Sequence, residues 1–346
     1  MAKFDKSKMY KPARRLSTLM GVLPFCDCIF IQRFVTKFRF YKSKHRYLKT
    51  TKFRIGLDVA DIKCGVCDGD AVCFSDKNIK DFQKIGSVSC RLYRGDTTKV
   101  LPLVVYFHGG GFVYGNFNTA DGGLRDMCHS IGCHILVIKY PLAPKYKFDT
   151  AIKACAYILQ NLEINNILQN LEKDKIEYNG IILMGDSAGC SILLNVLHNC
   201  ATHNLLTEQN KIVGQILLYP MVEMVYSDSG EKYPSIDQYS KGCMLTKKSL
   251  VKMTKLYLTP DISRYDMRAN PIYLEHTSVP PTLIFACGYD PLRDQATQLY
   301  EKLKDIDDTS KIHIVQYDDI THGYFASFKK YIDSTIDEVL KFFYSI

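Results

Sequence analysis

Ile181-Ile182-Leu183-Met184 is an unbroken apolar run, and Gly185-Asp186-Ser187-Ala188-Gly189 follows it directly. Ser191-Ile192-Leu193-Leu194-Asn195-Val196-Leu197 then continues with helical character. An apolar run of this length fits a strand buried on both faces of a parallel sheet. A Gly-x-Ser-x-Gly pentapeptide between such a strand and a helix predicts a very tight turn. Side chains at its two glycines would collide with neighbouring backbone, so only hydrogen fits there. The serine is then held in a strained conformation, with Oγ exposed at the carboxyl edge of the sheet. The helix beneath it offers positive dipole character where a negative oxygen could develop.

A second motif sits about 75 residues upstream. His108-Gly109-Gly110-Gly111 follows the apolar run Leu103-Val104-Val105-Tyr106-Phe107. Consecutive glycines let backbone N–H groups turn outward without obstruction, ready to receive an anionic oxygen. A plain glycine-rich turn and a phosphate cradle are the competing readings, and the cradle would need a GK[ST] ending or GxGxxG spacing. Phe112-Val113-Tyr114 offers neither. Both motifs therefore belong at the carboxyl ends of parallel strands.

Further out, short β-rich runs alternate with helical segments. The predicted strands are Leu103–Phe107, His134–Tyr140, Ile181–Met184, Gln215–Tyr219, Thr282–Ala286 and Lys311–Tyr317. Between them, helices are predicted over Leu124–Ile131, Phe148–Leu162, Gly189–His203, Asp294–Lys304 and Lys329–Tyr344. This alternation predicts an α/β fold with a mostly parallel central sheet and helices on both faces. Residues 1–90 carry little parallel-sheet signal and read as a basic arm with a cap segment, leaving residues 91–346 as the catalytic domain. Residues 222–275 interrupt the rhythm with a long polar and aromatic stretch. Insertions of that length in compact domains tend to be functional, and a cap is expected here.

A serine nucleophile needs a base, and the base needs an orienting acid. Asp290 follows the Thr282–Ala286 strand and Cys287-Gly288-Tyr289, which places a carboxylate at the same sheet edge. His322 lies just beyond the last strand, between Thr321 and Gly323. In the order Ser, acid, His, these three would form a triad. Asp294, Asp318 and Asp319 are rival acids, and His313 is a rival base inside a strand.

Taken together, His108–Gly111, Gly185–Gly189, Asp290-Pro291-Leu292-Arg293-Asp294 and His322-Gly323 resemble the hormone-sensitive-lipase-like branch of serine esterases. Arylacetamide deacetylases and many carboxylesterases belong to that branch. Tyr140-Pro141-Leu142-Ala143-Pro144 is similar to its Tyr-Arg-Leu-Ala-Pro segment. The resemblance runs from about Leu101 to the C-terminus. It implies an α/β-hydrolase fold with an N-terminal helical cap and no cofactor. It also implies an oxyanion hole from the amides of Gly110, Gly111 and Ala188, with His108 shaping the loop. Lys145, Asp149 and Tyr324 stand where the family usually has Glu, Pro and Phe. The expected function is a serine carboxylesterase for small to medium-chain, small-molecule esters. An amide deacetylase, a lipase or a non-catalytic ligand receptor on the same fold are the alternatives.

Composition agrees with a soluble globular chain: of 346 residues, 47% are hydrophobic and 23% charged, which excludes a disordered or fibrous protein. No run approaches the roughly 18 uninterrupted apolar residues that cross a bilayer. The net charge of +9 is concentrated, with +13 on residues 1–54 and −4 on the remainder. Such an arm suits peripheral contact with an anionic membrane surface, or a solvated helix. Phe30, Phe34 and Phe38, with Ile31 and Val35, predict an amphipathic helix within it. No nucleic-acid-binding pattern supports a nucleic-acid partner. Thirteen irregularly spaced Cys and the lack of an Asn-x-Ser/Thr sequon point to reduced thiols and a cytoplasmic location. Cys64, Cys67 and Cys73 offer only a lone CxxC, so no metal is expected.

Overall fold

A computed structural model describes residues 8–13, 42, 45, 50–56, 85, 87–164, 176–203, 211–241, 244–275, 279–306 and 311–346. Eight strands form one sheet: β1 (Thr50–Gly56), β2 (Ser87–Tyr93), β3 (Leu103–Phe107), β4 (Ile135–Lys139), β5 (Ile181–Asp186), β6 (Ile212–Leu218), β7 (Thr282–Tyr289) and β8 (Ile312–Thr321). Their order is β1-β2-β4-β3-β5-β6-β7-β8. The β1–β2 and β2–β4 pairs are antiparallel, and all the others are parallel. The principal helices are α1 (Asp121–Ile131), α2 (Thr150–Ile164), α3 (Ala188–His203), α4 (Pro234–Gln238), α5 (Lys247–Tyr257), α6 (Arg293–Ile306) and α7 (Lys329–Phe343).

The continuous apolar runs have a direct consequence. Successive side chains of a strand point to opposite faces, so Leu103, Val105 and Phe107 enter one core while Val104 and Tyr106 enter the other. Leu183 and Ile182 of β5 divide in the same way. Helices α2, α3 and α6 supply Ile152, Leu193 and Leu299 to the first core, and α1 and α7 supply Leu124 and Ile336 to the second. The six strands and five helices expected after residue 100 are all present, with ends displaced by a few residues.

The expected division at residue 90 is corrected by β2, which runs through it from Ser87 to Tyr93. Together β1 and β2 extend the sheet antiparallel to its core. Ser87, Ser89 and Arg91 interrupt the apolar positions of β2, so no parallel-strand run exists there to be read. Residues 8–13 also belong to the body: Tyr10 donates its amide to the Asp319 carbonyl and packs edge-on against Phe328 and Tyr331. The expected amphipathic helix at Phe30–Phe38, most of the basic arm and the Cys64-x-x-Cys67 pair lie outside the described residues. No helix among the described residues is long and apolar enough to cross a membrane.

The strand order reverses at β3, with β4 on one side and β5 on the other. The crevice outside the carboxyl ends of strands at such a reversal is where open α/β sheets bind ligands. Both glycine motifs emerge there.

Candidate active site

Ser187 occupies the turn between β5 and α3 with φ 54°, a left-handed conformation rarely adopted by a residue with a side chain. Its amide donates to Leu218 O at 2.9 Å, and its carbonyl accepts from Cys190 N at 3.0 Å and Met221 N at 3.2 Å. The flanking glycines are sterically required. A Cβ on Gly185 would lie 2.8 Å from the Gly189 carbonyl carbon, and one on Gly189 would lie 2.0 Å from Phe107 O. The second approach lets the turn sit directly against the end of β3.

The candidate acid and base arrive on adjacent strands. Tyr289 of β7 pairs with Thr321 of β8, so Asp290 and His322 are the next residues on each. Both strands run further than their apolar runs predict, and that extension is what delivers the pair. His322 Nδ1 lies 2.7 Å from Asp290 Oδ2, and Nε2 lies 2.8 Å from Ser187 Oγ. Asp290 is buried, and its other oxygen accepts from Leu292 N at 2.8 Å. Tyr219 sets its ring edge-on to the imidazole at 4.8 Å.

The rival residues are engaged elsewhere. Asp294 accepts from Ser235 N and pairs with Arg293, while Asp319 accepts from the Tyr331 hydroxyl. Asp318 accepts from Gln316 Nε2, and His313 is exposed on β8.

The glycine loop after β3 faces the serine. Gly110 and Gly111 have φ 124° and 59°, which glycine adopts readily. Gly109 N is committed to Asp186 Oδ1 at 2.5 Å. The amides of Gly110, Gly111 and Ala188 donate to no group among the described residues, and Gly110 and Gly111 line the cavity beside Ser187.

His108 takes no part in proton exchange with the serine. Its ring is buried, stacks on Tyr140 at 4.2 Å, and carries Nδ1 at 2.9 Å from Gly109 O. The Tyr140 hydroxyl donates to the His108 carbonyl, and a Cβ on Gly115 would strike the imidazole. Burial drives the His108 pKa down to about 4. The unfolded chain therefore takes up a proton below about pH 6.5 that the folded chain refuses. The contribution to stability is complete above that pH and falls away as the pH drops towards 4. Wild type should lose about 3 kcal/mol more than His108→Gln between pH 7 and pH 4, measured by chemical denaturation. Parallel stability curves for the two proteins would contradict this.

A cavity of about 130 Å³ opens on Ser187 and His322. Its walls are largely thioether and aliphatic: Met221, Met244, Leu245, Leu250 and Met253. Most of these come from the 222–275 insertion, and α5 forms the roof. Thr246 and Ser249 cap the start of α5 reciprocally, each side-chain oxygen accepting the other's amide at 3.1 Å. At its far end Tyr257 stacks on Phe112 at 3.9 Å, just beyond the glycine loop. The roof is thus tied to the loop it covers. Sequence reading did not identify these lining residues, because ordinary Met and Leu scattered over 33 positions (221–253) carry no local signal.

Asp149 and Tyr324, two departures from the family pattern, are accommodated. Asp149 pairs with Lys153 at 2.8 Å, and the Tyr324 hydroxyl meets Thr335 Oγ1 at 2.8 Å. Among the described residues, no group of three or more His, Cys, Asp or Glu side chains is placed to hold a metal ion.

A family model described as the alpha/beta hydrolase fold matches residues 104–326. An arylesterase of Saccharolobus solfataricus is 32% identical over 197 residues, covering 56% of this chain and 59% of that protein. An ethyl acetate hydrolase of Pseudomonas putida is 26% identical, covering 59% and 62% respectively. The chain spans about three fifths of the length of these curated relatives. A hyperthermophilic esterase from Pyrobaculum calidifontis superposes with a TM-score of 0.73 at 21% identity, covering 97% of this chain and 98% of that one.

Proposed function

Because the chain belongs to the alpha/beta hydrolase fold family, whose model spans more than half of its residues, we propose that it is a serine carboxylesterase. The observation that carries this reading is the continuous hydrogen-bonded series Ser187–His322–Asp290, with Ser187 and His322 sharing one cavity with the Gly110 and Gly111 loop.

With its proton on Nδ1 donating to Asp290, neutral His322 accepts the Ser187 hydroxyl proton at Nε2. The freed Oγ attacks the ester carbonyl, and the carbonyl oxygen becomes an oxyanion received by Gly110, Gly111 and Ala188. One such donor is typically worth about 3–4 kcal/mol in the transition state. The imidazolium, steadied by Asp290, returns its proton to the leaving alkoxide, and an acyl-enzyme on Ser187 remains. Water deprotonated by His322 then releases the acid. The names of the arylesterase and ethyl acetate hydrolase relatives favour this ester chemistry.

Cavity size bears on the acyl group. An apolar cavity of roughly 150 Å³ holds a benzene ring, so about 130 Å³ suits an acyl chain of about four to six carbons. Hydrolysis of p-nitrophenyl acetate, butyrate and decanoate tests the reading. The butyrate should exceed the decanoate in kcat/KM by about tenfold or more, an amount that a few misfitted methylenes supply. A protein inert on all three esters would refute the assignment, and a flat profile would refute the size argument.

The insertion carrying α5 serves as the cap in this scheme. Among the described residues seven cysteines are free and buried, Cys190 among them, which favours a reducing cytoplasmic setting. The +13 arm is the segment through which an anionic membrane would be met.

A further inference from the structure

We propose that Asp186 is a positioning residue that couples the nucleophile turn to the oxyanion loop, through its carboxylate bond to the Gly109 amide. The inference rests on the esterase reading. Asp186 immediately precedes Ser187, and Gly109 immediately precedes the two loop amides left open to the cavity. Asp186 Oδ1 accepts from Gly109 N at 2.5 Å and from the Tyr106 hydroxyl at 2.6 Å. The fit is close: a Cβ on Gly109 would lie 2.4 Å from Asp186 Oδ2. With the Gly109 amide pinned inward, the positive-φ turns at Gly110 and Gly111 carry the following amides past the serine.

The surroundings of Asp186 show why a charged group is needed there. Its partners Gly109 and Tyr106 both donate, and the Tyr219 hydroxyl likewise favours the charged form. Burial opposes that form and pushes the pKa upward. No Lys or Arg pairs with Asp186 among the described residues, and a positive charge comes near it only when His322 carries a second proton. A buried carboxylate without a permanent cation is a costly way to fill space. It does supply a charge-assisted acceptor to a backbone amide, stronger than a neutral one. It also places negative charge near the imidazole that becomes cationic during the reaction.

The titratable groups facing Asp186 are Tyr106 from β3, Tyr140 beyond β4, Cys190 from α3, Tyr219 beyond β6 and His322 beyond β8. Burial raises the tyrosines and Cys190 far above neutrality, so none of them supplies a charge of its own beside Asp186.

Two substitutions separate position from charge. Asp186→Ala removes the acceptor, and kcat on p-nitrophenyl butyrate should fall about 10²-fold with KM within about threefold. Affinity for a trifluoromethyl ketone, which forms a tetrahedral oxyanion on serine, should fall in parallel. Asp186→Asn can keep Oδ1 on both donors, so kcat should recover to within about tenfold of wild type. Loss of the nearby negative charge makes His322 easier to deprotonate, so the acid limb of kcat/KM should move to lower pH. Asp186→Ala within threefold of wild type would overturn the proposal. So would a kcat loss without loss of ketone affinity, or Asp186→Asn as impaired as Asp186→Ala. Should Asp186→Ala not fold, Tyr106→Phe decides: a parallel drop of about tenfold in kcat and ketone affinity supports the role, and unchanged values end it. A wild type without Ser187-dependent turnover would instead defeat the esterase reading itself.

Discussion

Ser187→Ala should reduce kcat on p-nitrophenyl butyrate by about 10⁵–10⁶-fold, the largest kinetic effect available in this protein. The 2.8 Å contact between His322 Nε2 and Ser187 Oγ makes the two residues one unit. His322→Ala should therefore cost nearly as much, and the double substitution little more. Asp290→Asn should lose about 10⁴-fold, because an amide facing Nδ1 at 2.7 Å favours the wrong tautomer. Stopped assays and labelling by a fluorophosphonate check this together. Wild type should take up one label at Ser187, and Ser187→Ala none. Full activity in the alanine variant would mean that another nucleophile does the chemistry.

Gly189→Ala should be among the most damaging single methyls that can be added near the site. Its Cβ would sit 2.0 Å from Phe107 O and 3.0 Å from His108 O. Both neighbours are backbone, at the end of β3 and one residue beyond it, so neither can rotate away as a side chain would. The turn and β3 must separate, and a loss of about 3–5 kcal/mol in unfolding free energy is expected, together with hydrolysis. Gly323→Ala is the control. Nothing lies within 4 Å of its Cβ position, and only its φ of +77° opposes a side chain. That costs about 1–2 kcal/mol. Urea titration of the two variants should separate them clearly, and equal stabilities would show that the contact at Gly189 relaxes.

Much of this architecture is legible along the chain because burial on both faces leaves a local mark. Leu103–Phe107 and Ile181–Met184 are apolar at every position, so each could be placed without its partners. The glycine motifs are legible for a related reason, since backbone crowding at Gly185 and Gly189 admits no other residue. Asp290 and His322 are singled out in the sequence by their order and by their places after strands. The β7–β8 register places Asp290, and not its rivals Asp294, Asp318 or Asp319, against His322. Residues 87–93 show the opposite case. Ser87, Ser89 and Arg91 alternate with Val88, Cys90 and Leu92, so the antiparallel edge of the sheet leaves no continuous apolar run in the sequence.

By itself, the sequence determined the α/β alternation, the turn that strains Ser187 and the loop that frees the Gly110 and Gly111 amides. Each of these is enforced within a few neighbouring residues, by burial or by the absence of a side chain. The tertiary structure alone decided what depends on distance between remote segments. It brought β7 and β8 into the register that joins Asp290 to His322, and set Asp186 against Gly109 across 77 positions. It also laid α5 over the cavity through the stacking of Tyr257 on Phe112. Such contacts arise from packing of whole elements, for which no short stretch of chain carries a signature.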